Sequence, residues 1–236
     1  MRPSKRSPEQ IRNVTIETNV NAYAEGSCLI KFGKTHVLCT ASVEEKVPPF
    51  LKNKGQGWVT AEYNMLARST HTRNSRDPQK PNGRNIEITR LIGRALRSVI
   101  DMKKLGERQI IIDCDVLQAD GGTRCASITG GYVALALAIR KLEKQNLVRG
   151  GSLTGQICAL SCGIFRNEVI ADLDYDEDSK CEVDCNFVLN EKFDLIEIQG
   201  TAENGSMSFV QVNKMYDLAK KAAEEIFEIQ KKAIGS

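Results

Sequence analysis

Apolar and polar residues alternate in several short runs along the first half of the chain. Alternation with a period of two is typical of strands with one buried face. The strands predicted in this way are 14–17, 27–32, 36–43, 58–64 and 109–116. Gly33 and Lys34 form a candidate hairpin turn between the second and third strands. Apolar residues three and four apart predict an amphipathic helix at 88–101, and an Ala- and Leu-rich run predicts a largely buried helix at 125–145.

The second half repeats the order of strands followed by a helix. Predicted strands lie at 156–164, 169–173, 181–189 and 195–200, and a long amphipathic helix is predicted at 212–234. Gly150 and Gly151 form a natural link between the halves. The pattern predicts an α+β protein of duplicated β–α units, with mixed sheets that carry helices on one face. The halves are 1–149 and 150–236, and we expect them to form one compact unit.

Composition narrows the class of protein. Apolar residues make up 41% of the chain and charged residues 27%, which is ordinary for a soluble globular protein. Reading along the sequence, we see no apolar run that approaches the roughly 20 residues needed to span a bilayer. We also see no signal-peptide apolar region near the start, so we expect a cytoplasmic enzyme with no membrane partner.

The cysteine pairs at 158/162 and 181/185 are more widely spaced than in zinc ribbons, which favours buried thiols over zinc ligands.

Positive charge is concentrated in one segment. Residues 68–97 contain eight Arg or Lys and two acidic residues, a net charge of +6, so the rest of the chain carries 3 − 6 = −3. Such a run is often only a solvated helix face. Seven of the eight basic residues are arginines, whose planar fork suits phosphate oxygens. The segment is therefore a candidate surface for a polyanion such as RNA.

A turn between a predicted strand and a predicted helix has the parts of an anion site. Its sequence is Asp120-Gly-Gly-Thr-Arg124. Adjacent glycines let the backbone approach a ligand, and the first amides of the helix point outward unpaired. An ordinary helix cap would also explain the turn, but Ser127 and Thr129 add hydroxyls in the first helical turn, and Arg84 lies in a loop that can converge there. There is no P-loop motif, which disfavours hydrolysis of nucleoside triphosphates.

Acidic residues are concentrated in a second segment. Seven carboxylates occur in the thirteen residues 172–184. In an extended chain, Asp172, Asp174, Asp176 and Asp178 would share a face, and a divalent cation would offset their repulsion. Asp178 and Asp184 are the candidate pair for one Mg²⁺ or for one leaving-group oxygen. A solvated acidic turn is the alternative, which fits Asp174, Asp176 and Glu177 best and Asp184 least.

Taken together, the motifs over about residues 1–230 resemble the ribonuclease PH family of phosphorolytic 3′–5′ exoribonucleases. The segments that carry the resemblance are 41–51, 57–66, 87–97, 113–124, 174–179 and 196–203. The resemblance implies that Arg84 and Gly122-Thr123-Arg124 bind inorganic phosphate, which attacks the last phosphodiester bond and releases a nucleoside diphosphate. Lys5 stands where the family has a glycine.

The resemblance also implies the remaining roles. Asp178 and Asp184 are the catalytic pair, as a general acid or as ligands of Mg²⁺. Arg68, Arg73 and Arg76 bind the substrate, a tRNA precursor or another structured RNA 3′ end, and the assembly is a homohexamer, a trimer of dimers. With only 6% aromatic residues, we expect RNA to be held mainly through its backbone charge. The alternatives are a catalytically silent RNA-binding ring subunit of the same fold and a metal-dependent hydrolytic nuclease.

Overall fold

The computed structural model describes residues 2–75, 83–203 and 205–235. The first half contains five strands, β1 (Val14–Thr18), β2 (Gly26–Phe32), β3 (Thr35–Glu44), β4 (Trp58–Met65) and β5 (Gln109–Gln118). Its helices are α1 (Gly83–Arg97), α2 (Met102–Leu105) and α3 (Thr123–Lys144). The predicted elements are all present. The helix predicted at 88–101 begins earlier and ends at Arg97, and the buried helix begins at Thr123.

The described residues of the second half, 150–203 and 205–235, form four strands and two helices. The elements are β6 (Ile157–Phe165), β7 (Glu168–Ala171), α4 (Tyr175–Asp178), β8 (Val183–Asn190), β9 (Leu195–Ala202) and α5 (Phe209–Ile234). Arg166 and Asn167, both with positive φ, form the turn between β6 and β7. Ser208 caps α5 through a reciprocal capping box with Gln211, which explains why this helix begins before the apolar pattern does.

Two sheets form the framework. The first has the order β1-β2-β3-β5-β4 and is mixed, because β4 runs parallel to β5 while the other pairs are antiparallel. A parallel pair needs a crossover, and α1 and α2 supply it. The second sheet has the order β7-β6-β8-β9, with antiparallel pairing throughout.

Helix α3 joins the two sheets. It contacts β2, β3 and β5 of the first sheet and β6 of the second. Gly130 allows this close packing, because a Cβ there would lie 2.7 Å from Ile30 and 2.8 Å from the thiol of Cys39. The helix is long and apolar enough by composition to cross a membrane, contrary to our reading of the sequence, but 83% of its apolar window is buried. A buried core helix passes the same test, so the membrane evidence is weak.

The acidic segment does not have the extended conformation that its alternation suggested. Asp172 has a φ of 53°, and Tyr175–Asp178 form a single helical turn. Asp174 caps this turn, and the side chain of Glu177 bonds back to the backbone of Asp174. The expectation that Glu177 is solvated was wrong, since its side chain is fully buried. The physical reason is an ion pair with an arginine from the far N-terminus.

Candidate active site

A cavity of about 200 Å³ lies where the ends of several elements meet. Its lining comprises Arg84, Gly122, Thr123, Arg124, Ser161, Asp178, Asp184, Asn186 and Glu203. The six residues that the sequence assigned to phosphate binding and catalysis therefore all lie in one cavity. Arginines and the start of α3 form its cationic part, and carboxylates from the second half form its acidic part. Arg84 occupies the first turn of α1, not a loop.

The turn before α3 has a backbone that only glycine adopts easily. Gly121 and Gly122 have φ angles of 76° and 66°, in the left-handed region. A Cβ at Gly121 would lie 2.7 Å from the carbonyl oxygen of Leu173, so this turn is pressed against the segment that leads to Asp178. Gly122 is the N-cap of a 22-residue helix and offers no side-chain cap, which leaves the first amides available to an anion.

Two hydroxyls that we expected at this site lie elsewhere. Ser127 and Thr129 are fully buried and do not line the cavity. Thr129 accepts a hydrogen bond of 3.0 Å from the backbone amide of Ala159, and the Ser127 hydroxyl has no partner among the described residues. The reason is depth along the helix. At a rise of about 1.5 Å per residue, Ser127 and Thr129 lie roughly 6 and 9 Å past Thr123, within the buried part of α3.

Arg124 is held by side chains from two other elements. Its guanidinium donates a hydrogen bond to the side-chain oxygen of Gln199 on β9, and it lies 3.8 Å from a carboxylate oxygen of Glu87 on α1. Gln199 also donates to Glu87. The three side chains form a chain across α1, α3 and β9, which fixes the direction in which Arg124 presents its fork.

Two partly buried carboxyls, of Asp178 and Asp184, lie in the same cavity as these arginines and have raised pKa values. Burial raises the pKa of Asp184 to about 6, and the nearby Asp178 adds to the rise. The pKa of Asp178 is also raised by burial, although Arg84 and Arg124 oppose the shift. Glu203 lies close enough to raise both pKa values further. Like charges in a partly desolvated site favour holding a proton or a cation.

Asn186 is a site residue that the sequence reasoning missed. Its amide nitrogen donates to a carboxylate oxygen of Asp184 at 3.3 Å, and its oxygen accepts a 3.2 Å hydrogen bond from the thiol of Cys125. Asp184 and Asn186 are two positions apart on β8, and alternation places them on one face. This two-residue spacing could have predicted that Asn186 lies beside Asp184 in the site. For Ser161 and Glu203 the sequence carried no comparable signal.

Two arginines of the N-terminal segment form ion pairs with the acidic turn. Arg2 is 3% exposed and forms a bidentate ion pair with Glu177, with both N–O distances 2.7 Å. Arg6 reaches Asp172, Asp174 and Glu177 at 3.1 to 3.2 Å. This pairing stabilises the single turn of α4 that ends at Asp178.

Arg12 connects the two halves of the site. Its guanidinium forms a bidentate pair with Asp172, at 2.9 and 2.6 Å, while its backbone amide donates to the same carboxylate at 2.7 Å. The third nitrogen of the guanidinium donates to the carbonyl oxygen of Asp120. One buried cation therefore holds the glycine turn of the first half against the acidic segment of the second.

Arg68 and Arg73, two of the three arginines predicted to bind RNA, do not line the cavity. Arg68 and Arg73 are exposed in the loop after β4, and Arg76 lies outside the described residues. The same loop contacts the acidic turn, since the rings of His71 and Tyr175 lie 5.9 Å apart. The loop is thus positioned beside α4, the helical turn that ends at Asp178 of the cavity.

Within 2–75, 83–203 and 205–235, no group of three or more His, Cys, Asp or Glu side chains is arranged to hold a metal ion. Mg²⁺ usually takes only one or two protein carboxylates and completes its shell with substrate phosphate and water. Asp178 and Asp184 line one cavity, and the charge of Asp178 makes ionisation of Asp184 more costly, so their chemistry fits a cation that substrate helps to bind.

Comparisons with known proteins agree with this arrangement. Residues 10–141 match the family model described as 3′ exoribonuclease family, domain 1, and residues 155–222 match domain 2. Ribonuclease PH of Caulobacter vibrioides (strain NA1000 / CB15N) is 55% identical over 237 residues, covering 100% of both chains. Ribonuclease PH of Cereibacter sphaeroides (strain ATCC 17025 / ATH 2.4.3) is 56% identical, again with full coverage of both.

Solved structures share the fold at lower identity. The Rrp46 structure from rice (Oryza sativa) superposes with a TM-score of 0.82 at 18% identity and covers 100% of both chains. An Archaeoglobus fulgidus exosome with RNA bound to the active site gives 0.79 at 20% identity, covering 96% of this chain and 91% of that one. These two structures show that the fold is shared. The full-length sequence matches and the two family models show the family. The chain belongs to the ribonuclease PH family of 3′ exoribonucleases.

Proposed function

We propose that the cavity is where inorganic phosphate attacks the terminal phosphodiester bond of an RNA 3′ end. Membership of the family over the whole length makes the chain a phosphate-dependent 3′–5′ exoribonuclease of the nucleotidyltransferase class that acts in tRNA processing. One observation carries the assignment of the site. Two arginines, an uncapped helix start and two partly buried aspartates, which come from α1, α3, α4 and β8, line a single cavity.

The cationic part of the cavity is suited to the attacking phosphate. Arg84 and Arg124 neutralise its charge, and the Thr123 hydroxyl and the first amides of α3 donate hydrogen bonds to its oxygens. Gly122 lets the backbone come close, since it has no side chain between the amides and the ligand. These groups position the nucleophile and stabilise the charge that is shared as the transfer proceeds.

The reaction balances without a redox partner. An oxygen of inorganic phosphate forms a bond to the phosphorus of the last phosphodiester, and the bond from that phosphorus to the 3′-oxygen of the preceding nucleotide breaks. A nucleoside diphosphate leaves, with the former inorganic phosphate as its β-phosphate. The 3′-oxygen takes up a proton and the RNA is shorter by one nucleotide.

Asp178 and Asp184 are the groups that we assign to the leaving 3′-oxygen, which needs a proton or a stabilising positive charge. A carboxyl with a pKa of about 6, as burial gives Asp184, is partly protonated near neutral pH and can deliver that proton. The same pair would hold Mg²⁺, which as a Lewis acid supplies charge stabilisation at a transferring phosphoryl group. Asn186 orients Asp184 in either role.

RNA reaches the cavity past the loop that follows β4. Arg68 and Arg73 are exposed there, and Arg76 continues the basic segment in the sequence. We assign these arginines to the backbone of a tRNA precursor or another structured RNA. Because this contact is electrostatic, RNA binding should weaken steeply with salt.

The chain assembles with itself as a homohexamer, a trimer of dimers, in the cytoplasm. Support for self-association comes from exposed apolar side chains near β9 and the start of α5, namely Ile198, Phe209 and Val210, which are 43%, 86% and 65% exposed. All eight cysteines are free thiols, as is usual in a reducing compartment. Light scattering of the purified protein measures the assembly, and a monomer at micromolar concentration would contradict it.

Substitution of single arginines tests the site. Arg124→Ala and Arg84→Ala should raise the KM for inorganic phosphate by at least tenfold, because a charge-assisted hydrogen bond contributes about 1.5–3 kcal/mol. Arg90→Ala is the matched control, since Arg90 is exposed on the same helix as Arg84 but does not line the cavity. An unchanged phosphate KM in both cavity variants would refute the assignment.

A further inference from the structure

A buried tyrosine stands directly behind the proposed phosphate donor. Tyr63 lies on β4 and is 2% exposed, yet its hydroxyl oxygen is 2.9 Å from the hydroxyl oxygen of Thr123. Thr123 is the first residue of α3 and lines the cavity, which Tyr63 does not. The tyrosine therefore acts on the cavity through the threonine.

The direction of this hydrogen bond follows from counting donors. In the part of the chain that the structure describes, Thr123 is the one hydrogen-bond partner of the Tyr63 hydroxyl. A buried hydroxyl hydrogen without an acceptor costs about 1–3 kcal/mol, so the tyrosine must donate to Thr123. The threonine hydrogen is then released from this pair and is free to point into the cavity.

The protonation state of the tyrosine supports that direction. Burial raises the pKa of Tyr63, although Thr123, Arg84 and Arg124 oppose the shift, so the phenol keeps its hydrogen at any working pH. The two arginines that act on it electrostatically are the two assigned to phosphate. A phenol that always donates gives the threonine a fixed acceptor role on one side and a fixed donor role on the other.

The position of Tyr63 is itself fixed from two sides. Its backbone amide donates to the hydroxyl of Thr89 at 3.1 Å, which ties β4 to α1, the helix whose first turn contains Arg84. Its ring lies in the hydrophobic core. Tyr63 thus links the two helices whose first turns line the cavity, α1 through its backbone amide and α3 through its hydroxyl, and it holds Thr123 in one orientation relative to Arg84.

We propose that Tyr63 is a positioning residue for the phosphate nucleophile, which commits the Thr123 hydroxyl to donating into the cavity. The tyrosine polarises that hydroxyl, since a group that accepts one hydrogen bond donates a stronger one. The inference deepens the proposed function and rests on Thr123 binding inorganic phosphate. It concerns affinity for the nucleophile, and RNA binding should not depend on it.

A double-mutant cycle on the full-length protein tests the proposal. Phosphorolysis of RNA is followed at varied inorganic phosphate for the wild type, Tyr63→Phe, Thr123→Val and the double variant. Tyr63→Phe should raise the KM for phosphate roughly 2- to 12-fold, the range that a net hydrogen-bond contribution corresponds to. It should leave the dissociation constant for RNA, measured without phosphate, unchanged. In the Thr123→Val background, Tyr63→Phe should have no further effect on the phosphate KM.

Two controls separate positioning from general destabilisation. Tyr132→Phe removes the hydroxyl of another buried tyrosine, on α3 but outside the cavity, and should leave the phosphate KM unchanged. Thr123→Ser keeps the hydroxyl and should keep the sensitivity to Tyr63→Phe. Equal effects of Tyr63→Phe with and without the Thr123 hydroxyl would overturn the proposal, as would a fall in kcat and RNA affinity at constant phosphate KM.

The failure of this proposal is distinguishable from failure of the proposed function. If the wild type releases nucleoside diphosphates in a phosphate-dependent manner but Tyr63→Phe has the wild-type phosphate KM, only the positioning role falls. If the wild type shows no dependence on phosphate, the proposed function falls, and the role of Tyr63 falls with it.

Discussion

Replacing Asp172 by Asn should cost about 3–5 kcal/mol in the free energy of unfolding, because it removes one partner of a buried ion pair. The Asp172 side chain is 2% exposed and that of Arg12 is 8% exposed. The carboxylate accepts three hydrogen bonds from Arg12, at 2.6 to 2.9 Å. An Asn amide can satisfy part of this set, but its NH₂ group faces a guanidinium that only donates.

The substitution is well matched to the backbone. Asp172 has a φ of 53°, and Asn tolerates the left-handed region as well as Asp does. The loss of stability therefore reports the charge and its hydrogen bonds. Glu9→Gln serves as the control, since Glu9 and Lys221 form an ion pair that is 53% and 67% exposed and should contribute less than about 1 kcal/mol.

The stability difference between wild type and Asp172→Asn should depend on pH with a definite sign. Burial raises the pKa of Asp172, but the charge and hydrogen bonds of Arg12 outweigh burial and hold the pKa below its ordinary value. A carboxyl with a depressed folded pKa stabilises the protein above its unfolded pKa of about 4, and the stabilisation is lost as the pH falls through the folded value. The difference between wild type and Asp172→Asn should be complete at pH 7 and should shrink below about pH 4.

Urea unfolding at pH 7, at one fixed protein concentration, measures this difference, and a series down to pH 3 gives its pH dependence. A cost of Asp172→Asn no larger than that of Glu9→Gln would contradict the stabilising role of the buried pair. So would a difference between wild type and variant that stays constant down to pH 3.

Three further outcomes are expected. Lys5→Gly should stabilise the protein by about 1 kcal/mol, because Lys5 has a φ of 62°, and an equal gain for Lys5→Ala in thermal unfolding would rule out this backbone explanation. Gly121→Ala should destabilise the protein by several times the roughly 1–2 kcal/mol expected for Gly55→Ala. Both glycines have positive φ, but only at Gly121 would a Cβ meet a neighbouring backbone. Equal unfolding curves for the two variants would contradict this. Arg68→Ala combined with Arg73→Ala should reduce the salt dependence of tRNA binding in filter assays, and an unchanged slope would remove these arginines from the RNA surface.

Local patterns in the sequence predicted the strands, the three long helices and six of the nine residues that line the cavity. The alternation of apolar residues predicted β5, and the glycine pair at 121 and 122 marked the turn before α3, because these signals depend only on neighbouring residues. The convergence of Arg84 with Arg124 was inferred from chemistry, and the cavity brings them together.

Long-range partners were beyond reach of the same reasoning. Arg2 pairs with Glu177 across 175 positions, and nothing in the local sequence distinguishes Glu177 from the exposed Asp176 beside it. The alternation at 172–178 was misleading for the same reason, since the fold of that segment is set by arginines from the N-terminus. Tyr63 was equally hidden, because a buried strand residue has no signal for a hydroxyl that reaches Thr123.

The central claim is that inorganic phosphate is the nucleophile, and its atoms can be followed. The protein is incubated with Mg²⁺, a tRNA carrying extra 3′ nucleotides and ³²P-labelled inorganic phosphate, and the small product is identified. The account predicts labelled nucleoside diphosphates with the label in the β-position, in a reaction that Arg124→Ala slows. Unlabelled nucleoside monophosphates, released equally without phosphate, would contradict it and favour a hydrolytic nuclease. Binding of the tRNA with no release would favour a silent ring subunit.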